Sequence, residues 1–326
     1  MAAAELYGGI DMGGTKVEAA VIAAPVEVRG SARLPTPTEG GPQAVADVMI
    51  KAIKEACTQA GVEPGALVGV GVGSPGIVDP QTGVVSSARN LPDWTGSFPL
   101  GEILSRALGT TVRVGNDVQL ATDGEFQHGA GQPFGSLLGV FWGTGVGGGI
   151  VLDGKPWLGR GGAGEIGHVV VRIEGRRCGC GRRGCMEAYA GRAAMEARAR
   201  KRLGDGEKTD LFKLMERRDR NRLTSGIWQR ALEQGDKLAH EIIDEAIEAL
   251  GAGVASVVNV LDVEAVVLGG GLGVRFGQPY AARIAEAMAP HLFNDAHPPQ
   301  VLVAALGDLG GAIGASLLAR QQRPFK

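Results

Sequence analysis

The order of elements along this chain repeats, and that repeat limits the fold more than any other feature. Residues 6–24 contain an apolar strand, a glycine-rich turn and a second apolar strand, and residues 136–153 contain the same series. Alternating helical and apolar segments follow each of them, as in α/β proteins. The repeat predicts a duplicated two-domain α/β fold with a ligand cleft between the halves. We expect an N-terminal domain at 1–125, completed by a C-terminal helix at about 309–326, and a second domain at 126–308.

Hydrophobic periodicity predicts the individual elements. Apolar runs predict strands at residues 6–10, 17–24, 26–34, 66–73, 111–114, 136–142, 150–153, 265–268 and 301–305. Helical spacing predicts helices at residues 42–60, 117–127, 237–261 and 309–319, and one that follows Leu272. The charged stretch 204–224 is rich in glycine, aspartate and arginine, and we interpret it as a solvent-exposed excursion.

A nearly balanced charge excludes one class of partner. The 326 residues include 33 Lys and Arg against 35 Asp and Glu, a net charge of −2, so the chain lacks the basic excess that displaces counterions from nucleic acid. No apolar run approaches the roughly 20 residues of a membrane span, and the start lacks the basic and apolar regions of a signal peptide. We therefore expect a soluble, cytoplasmic protein that binds neither nucleic acid nor membrane.

The 54 glycines cluster in turns beside apolar runs, and two common glycine motifs are excluded by their context. Two G-x-G-x-x-G matches, beginning at Gly71 and at Gly143, lack the helix that a dinucleotide fingerprint requires directly after the turn. Gly14 precedes Thr15-Lys16, the reverse of the order in a Walker A loop. What remains in each half is a glycine hairpin, whose backbone N–H groups suit phosphate oxygens.

The first hairpin combines four features that favour a phosphate donor. Asp11 ends a strand and suits Mg²⁺ bound through water, while Gly13 and Gly14 turn the chain. The hydroxyl of Thr15 and the ammonium of Lys16 suit anionic oxygens. Gly143-Thr144-Gly145 repeats the arrangement in the second half. Either hairpin alone is more simply a plain turn, but the pair at equivalent positions predicts that the two halves bind a nucleotide's phosphates from both sides.

Three of the four cysteines lie within eight residues, and a histidine precedes them. His168, Cys178, Cys180 and Cys185 make up the ligand set of a closed tetrahedral zinc site. The alternative is a set of reduced structural cysteines. A catalytic zinc is disfavoured because four protein ligands leave no position for water. The sequence therefore predicts a structural zinc ion.

Two glutamates flank this ligand set. Glu165 lies three residues before His168, and Glu187 lies two residues after Cys185, so the metal ion would hold both carboxylates in one place. Carboxylates fixed in this way accept hydrogen bonds from the paired hydroxyls of a sugar. The zinc motif is thus predicted to build part of a sugar site.

An Asn116-Asp117 pair stands where a predicted strand ends and a helix begins. Both residue types are favoured helix N-caps, which is the structural interpretation. The functional interpretation makes Asp117 a general base that accepts a proton from a substrate hydroxyl, with Asn116 orienting the sugar. The two are compatible, since Asn116 can cap the helix while Asp117 acts as the base.

These motifs resemble those of the ROK (repressor, open reading frame, kinase) family. The matching segments run in the expected order along nearly the whole chain: residues 11–16, 73–76, 90–94, 116–117, 143–149, 165–168, 178–187 and 269–272. The histidine followed by Cys-Gly-Cys-Gly-x-x-Gly-Cys-x-Glu is the most specific of them. The resemblance implies an actin-like, ribonuclease-H-like two-domain fold that closes around a sugar and ATP with Mg²⁺.

The resemblance also implies roles for individual residues, with Asp117 as the catalytic base. The implied sugar-binding residues are Gly76, Asn90, Asn116, Asp117, Glu165, His168 and Glu187. The implied nucleotide-binding residues are Asp11, Gly13, Gly14, Thr15, Lys16, Thr144, Gly145, Gly270 and Gly271. His168 would bind Zn²⁺ through one ring nitrogen and face a sugar hydroxyl with the other. One departure is Val118-Gln119, where many relatives carry Ala-Asn after the Asn-Asp pair.

The activity implied is ATP-dependent phosphorylation of a hexose at its 6-hydroxyl, with glucose as the expected substrate. Alternatives are fructose, mannose, allose or N-acetylmannosamine, and a polyphosphate donor, although a net charge of −2 indicates no basic groove for one. A repressor of this family carries an N-terminal helix-turn-helix, for which the five or so residues before the first strand leave no room. Asp117 and the phosphate turns disfavour a non-catalytic sugar sensor. Family members form homodimers or homotetramers, so we expect a homo-oligomer.

Overall fold

The computed structural model of the chain describes residues 4–88, 91 and 93–320. Its strands are β1 (Leu6–Met12), β2 (Lys16–Ala23), β3 (Glu27–Pro35), β4 (Gly69–Ser74), β5 (Ile77–Val78), β6 (Val85–Ser86), β7 (Ser97–Phe98), β8 (Val112–Asn116), β9 (Leu137–Trp142), β10 (Val146–Leu152), β11 (Lys155–Pro156), β12 (Ala265–Gly269) and β13 (Gln300–Val303). Its helices are α1 (Gly41–Ala60), α2 (Leu100–Leu108), α3 (Asp117–His128), α4 (Glu187–Ala190), α5 (Arg192–Gly204), α6 (Leu211–Arg217), α7 (Ser225–Glu233), α8 (Lys237–Leu261), α9 (Gly270–Met288) and α10 (Gly310–Arg320). Among these described segments, no helix combines the length and hydropathy needed to cross a membrane.

Two five-stranded sheets of the same plan confirm the duplicated α/β architecture. In the first sheet the order is β3-β2-β1-β4-β8, in which β1 to β3 form an antiparallel meander and β4 and β8 continue it in parallel. The second sheet repeats this arrangement with the order β11-β10-β9-β12-β13. Each predicted phosphate turn joins the first two strands of its sheet, so the two turns occupy equivalent positions. The domain boundaries themselves stay a prediction.

Residues at the ends of the long helices account for where these helices begin and end. Helix α1 has Pro42 in its first turn and ends at Gly61, whose φ of 71° is left-handed. The carboxylate of Asp236 accepts a hydrogen bond from the N–H of Ala239 at 2.9 Å and caps α8. The apolar faces of α1 and α8 are buried in two separate cores, one in each half.

Helix α10, the last of the chain, packs on the first sheet where the strands carry glycine. A Cβ atom on Gly9 or on Gly71 would overlap the backbone carbonyls of Ala312 and Ala315 in α10. Only glycine permits so close an approach. Gly71 therefore serves helix packing, in agreement with the exclusion of a dinucleotide-binding loop.

Two departures from the predicted elements correct the sequence analysis. Strand β10 begins at Val146, so residues 146–149, predicted as part of a turn, belong to a strand. The stretch 204–224 contains the short helix α6, and the interpretation of the whole stretch as a solvent-exposed excursion is wrong. The apolar side chains that it buries in the core of the second half are Leu211, Phe212, Leu214 and Leu223.

Candidate active site and metal centre

The four predicted zinc ligands converge in the structure. The Nδ1 atom of His168 lies 3.8 Å from the Sγ atom of Cys178, and the Sγ atoms of Cys180 and Cys185 are 3.7 Å apart. One ligand atom from each of the four lies within 4.8 Å of every other. Tetrahedral zinc with Zn–S bonds of about 2.3 Å requires sulfur atoms about 3.8 Å apart. The donor set and its spacing therefore fit Zn²⁺.

A hairpin-like loop brings these ligands together. Val170 pairs with Cys185 and Arg177 pairs with Arg183 in isolated antiparallel bridges. Gly184, next to the last ligand, has a φ of 80°, and a Cβ atom there would overlap the backbone carbonyl of Arg172. The glycines of the motif thus fold the loop tightly enough for three thiolates to meet.

The two predicted sugar-binding carboxylates lie beside the cysteine and histidine ligands. The Oε2 atom of Glu165 lies 3.9 Å from Nε2 of His168, the ring nitrogen that does not face the thiols. The Oε1 atom of Glu187 lies 3.7 Å from the Sγ atom of Cys178, and Oε2 accepts a hydrogen bond from the N–H of Val146 at 3.0 Å. A metal ion at this centre would therefore fix both carboxylates.

Asp117 is the first residue of α3, and Asn116 caps that helix. The Oδ1 atom of Asn116 accepts a hydrogen bond from the N–H of Gln119 at 3.0 Å, and Oδ1 of Asp117 accepts one from the N–H of Val118 at 2.9 Å. Burial raises the pKa of Asp117 to about 6; hydrogen bonds from backbone N–H groups oppose the shift, and the negative charge of Glu165 adds to it. Such a pKa is typical of a general base that works near neutral pH.

Asp11 lies next to Asp117, at the same edge of the first sheet. The parallel strands β1, β4 and β8 end side by side, with Asp11 opposite Gly73 in the register. A Cβ atom on Gly73 would lie 3.1 Å from Cα of Asp117 and 3.6 Å from Oδ1 of Asp11. Burial, with the charges of Asp117 and Glu18, raises the pKa of Asp11 to about 7, while Lys16 opposes the shift. Two neighbouring acids that resist ionisation favour the binding of a cation.

The first glycine turn is tight, and acidic side chains partly neutralise the positive charge of its lysine. The N–H of Gly13 donates to the carbonyl of Lys16 at 2.9 Å and closes the turn, next to the exposed Thr15. The ammonium of Lys16 contacts the buried carboxylate of Glu18 and lies 3.6 Å from Asp308. The Lys16 side chain is therefore held at the turn by acidic partners.

The second glycine turn lies beside Glu187, next to the candidate metal ligands, and beside the start of α9. The N–H of Gly143 donates to the carbonyl of Gly145 at 3.0 Å, and a Cβ atom on Gly145 would overlap the carboxylate of Glu187. A Cβ atom on Gly143 would lie 4.0 Å from the backbone nitrogen of Gly271, and Gly270 has a φ of 78°. Gly143 thus lies close to Gly271, and Gly145 lies close to Glu187.

Helix α3 joins the predicted base to the second half, through a residue that sequence analysis did not assign. The Gln119 carboxamide donates to the carbonyl of Ile150 at 3.1 Å and accepts from the N–H of Ile150 at 3.0 Å. Cβ atoms on Gly147 and Gly149 would overlap side chains of α3. Glycines predicted to turn the chain therefore let α3 rest on β10.

Glu125, near the end of α3, makes a second unpredicted connection. Its carboxylate accepts hydrogen bonds from the N–H groups of Ala305 and Leu306, both at 2.9 Å. Its near-complete burial gave no signal in the sequence, because the neighbouring residues include the polar Asp123 and Gln127.

A cavity of about 60 Å³ lies between α3 and the segment 156–165, and Asn116 and Glu165 both line it. Gly76 has a φ of 91° and close backbone neighbours at residues 86–88, which accounts for the glycine independently of any sugar. Asn90 lies outside the described residues. The roles of all these residues stay predictions.

In each half a glycine turn joins the first two strands of the sheet, and carboxylates lie at the edge of the first sheet. This arrangement defines an actin-like phosphotransferase. The chain belongs to the ROK family, whose model matches residues 7–322, and it is a kinase of that family.

Three similar proteins match it over nearly the full length. The glucokinase of Streptomyces coelicolor is 32% identical, covering 97% of this chain and 98% of that protein. The N-acetylgalactosamine kinase of Shewanella sp. is 33% identical and covers 96% of both chains. The crystal structure of a ROK family glucokinase from Streptomyces griseus in complex with glucose and AMPPNP is 32% identical, with a TM-score of 0.84, and covers 97% of this chain and 99% of that one.

Proposed function

We propose that the protein transfers the γ-phosphoryl group of ATP to the 6-hydroxyl of a hexose, and that glucose is its preferred substrate. The observation that carries the proposal is the position of Asp117, whose raised pKa reflects burial and the charge of Glu165 beside His168. Asp117 lies at the edge of the first sheet, and Glu165 and Glu187 lie beside the candidate metal ligands. This arrangement suits a sugar that is bound through hydroxyls at one end and phosphorylated at the other.

Each group has a task in this reaction. Asp117 accepts the proton of the 6-hydroxyl as that oxygen attacks phosphorus. Glu165, Glu187 and the His168 ring nitrogen that faces away from the thiols exchange hydrogen bonds with the remaining hydroxyls. His168, Cys178, Cys180 and Cys185 would hold Zn²⁺, which would fix the positions of these side chains when bound. Backbone N–H groups of the two glycine turns bind the phosphates.

Asp11 fits Mg²⁺, because burial and the negative charge of the neighbouring Asp117 raise its pKa when no cation is present. When bound there, Mg²⁺ neutralises charge on the transferring phosphate oxygens. Asp11, fixed at the end of β1, would position the ion, directly or through water.

A coupled assay of ADP release over a panel of hexoses, with ATP as donor, tests the proposal. We expect glucose to give the highest kcat/KM, and Asp117→Ala to lower kcat by about 10²–10⁴-fold without loss of zinc. Asp153→Asn, a change in the turn between β10 and β11, is the matched control and should leave kcat unchanged. Full turnover by Asp117→Ala would show that another group is the base.

A second candidate is a kinase for an N-acetylated hexosamine, favoured by the identity to the Shewanella enzyme. A 2-acetamido group replaces one hydroxyl that Glu165 or Glu187 would bind. Including N-acetylgalactosamine, N-acetylglucosamine and N-acetylmannosamine in the panel decides between the two, because a higher kcat/KM for any of them than for glucose overturns the substrate preference proposed here.

A further inference from the structure

Arg192, the first residue of α5, contacts the second glycine turn with both its backbone and its side chain. Its N–H donates to the carbonyl of Gly143, and the N–H of Ala193 donates to the carbonyl of Thr144, both at 3.1 Å. The Nη2 atom of Arg192 donates to the hydroxyl oxygen of Thr144 at 2.7 Å. The start of α5 therefore holds this turn by three hydrogen bonds.

The segment just before Arg192 holds the other end of the turn. Glu187, at the start of α4, accepts a hydrogen bond from the N–H of Val146 at 3.0 Å. A Cβ atom on Gly191, between α4 and α5, would lie 3.4 Å from the Cα atom of Gly145. Residues 187–193 therefore contact the turn along its whole length.

The guanidinium of Arg192 is half-buried, and no ion pair in the part of the chain that the structure describes includes it. Glu196, one turn further along α5, bonds instead to the guanidinium of Arg200 and to the N–H of Leu223. Burial and then the charge of Arg222 lower the pKa of Arg192, while Glu196 opposes the shift. Such a cation costs free energy unless an anion approaches it.

The contact with Arg192 determines what the hydroxyl of Thr144 can do. A hydroxyl group both donates and accepts hydrogen bonds, whereas a guanidinium only donates. Arg192 therefore occupies an acceptor position of the oxygen, and the hydroxyl hydrogen points away from the guanidinium. Because Thr144 is exposed, this hydrogen is available to an anionic oxygen from outside the chain. A charged donor on the oxygen also strengthens the hydrogen bond that the hydroxyl donates.

We propose that Arg192 is a positioning residue for the phosphate donor, whose guanidinium holds the hydroxyl of Thr144 as a hydrogen-bond donor to a phosphate oxygen of the nucleotide. The proposal rests on the nucleotide site of the function proposed above. The bound phosphate also brings negative charge close to Arg192, which the chain itself pairs with no carboxylate. Loss of the guanidinium should therefore weaken the binding of the nucleotide more than the binding of the sugar.

A double-mutant cycle tests whether Arg192 acts through Thr144. Calorimetry with AMPPNP and Mg²⁺ measures binding without turnover in the parent, in Arg192→Met, in Thr144→Val and in the double variant. We expect each single variant to lower the affinity about tenfold, as for the loss of one charge-assisted hydrogen bond. The double variant should lose no more than either single variant, because the two residues act as one unit. Arg192→Met should raise the KM for ATP by the same factor, with a smaller change in kcat.

Two further variants separate this role from a structural one. Thr144→Ser keeps the hydroxyl and should bind AMPPNP as the parent does. Arg192 also donates from Nη1 to the carbonyl of Leu223 at 2.7 Å, so its loss also loosens that residue. Glu196→Ala removes the acceptor for the N–H of Leu223 without touching the turn, and it should lower Tm but keep the affinity for AMPPNP.

The outcomes distinguish the possible causes. Equal affinity of Arg192→Met and the parent overturns the positioning role. Losses that add in full in the double variant overturn it as well, because Arg192 would then bind the nucleotide independently of Thr144. A loss in Glu196→Ala as large as that in Arg192→Met would assign the effect to Leu223. A parent that binds no AMPPNP overturns both proposals, whereas a parent that binds AMPPNP but phosphorylates no sugar overturns the proposed reaction alone.

Discussion

At the scale of single residues, two carboxyl groups with raised pKa values determine how activity depends on pH. Asp117, with a pKa of about 6, must be ionised to accept a proton, and Asp11, with a pKa of about 7, must be ionised to hold a cation. Because the two acids influence each other, they titrate as a pair. We expect kcat/KM to fall as the pH is lowered from about 7 towards 5, measured with saturating Mg²⁺ and a sugar that does not titrate. A constant kcat/KM across that range would contradict the assignment of Asp117 as the base.

The same two groups affect stability in the opposite direction. Their folded pKa values lie above the ordinary 3.8, so the folded chain binds more protons than the unfolded chain between about pH 4 and 7. The free energy of unfolding of the protein without ligands should therefore decrease as the pH rises through this window. At pH 8, Asp11→Asn should raise the free energy of unfolding by an amount on the order of 1 kcal/mol, and Tm with it. The gain should shrink towards pH 4. Calorimetry at both values checks it, and a gain of equal size at pH 4 would exclude this cause.

The metal ligands give a third prediction at this scale. Cys180→Ser removes one of four ligands, so zinc content should fall from about one ion per chain, and the KM for sugar should rise because Glu165 and Glu187 lose their anchor. Cys57→Ala, a buried cysteine of α1 in the other half, serves as the control and should retain zinc. Metal analysis by mass spectrometry and sugar titration give the two values. Unchanged sugar affinity in a zinc-free variant would separate the metal from the sugar site.

At the scale of elements, strand β10 connects Glu187, beside the candidate metal ligands, to the helix that begins with Asp117, the predicted base. Its Val146 binds Glu187, and its Ile150 binds Gln119 on the helix that begins with Asp117. Gln119→Glu preserves the size of the side chain but removes the N–H donor to the Ile150 carbonyl, which leaves two oxygens facing each other. We expect this variant to lower kcat about tenfold or more and to lower stability by about 1–3 kcal/mol, with a smaller effect on the KM for ATP.

The glutamine prediction is checked against a surface residue of the same type. Gln43→Glu in α1, where the side chain bonds only to the nearby Asp47, should leave kcat unchanged. Steady-state kinetics and thermal unfolding of both variants give the comparison. If Gln119→Glu loses stability but keeps its full kcat, the contact is structural and does not position the base.

At the scale of the whole molecule, the last helix and the first sheet depend on each other. Gly71→Ala would drive a methyl group into the backbone of α10, so the helix must move or the strand must distort. Overpacking of this kind costs about 1–3 kcal/mol or more, and we expect a lower Tm together with weaker binding of ATP, since Gly311 of α10 lies against Asp11. Gly162→Ala, at a position with open space around it, is the control. An unchanged Tm in Gly71→Ala would show that the close packing is not required.

The sequence by itself predicted the order of the main strands and helices, the duplicated plan and the four candidate metal ligands, which the structure brings together. These follow from short-range causes: alternation and helical spacing of apolar residues, and ligands close enough along the chain that one tight loop can bring them together. It did not predict α2, α4 to α7, β11 or the small sheet of β5, β6 and β7, because most of these segments are short and their apolar residues become buried only when the core is assembled.

Only the tertiary structure decided what the glycines and long-range polar groups do. Gly147 and Gly149 were predicted as turn glycines and Gly71 as a strand residue, and only the structure shows that helices pack against all three. The pairing of Gln119 with Ile150, the raised pKa of Asp11 and the contact of Arg192 with Thr144 likewise depend on atoms that are far apart in sequence. Hydrogen bonds, desolvation and charge repulsion act over a few ångströms of space, and a linear pattern does not specify which distant residues come within that range.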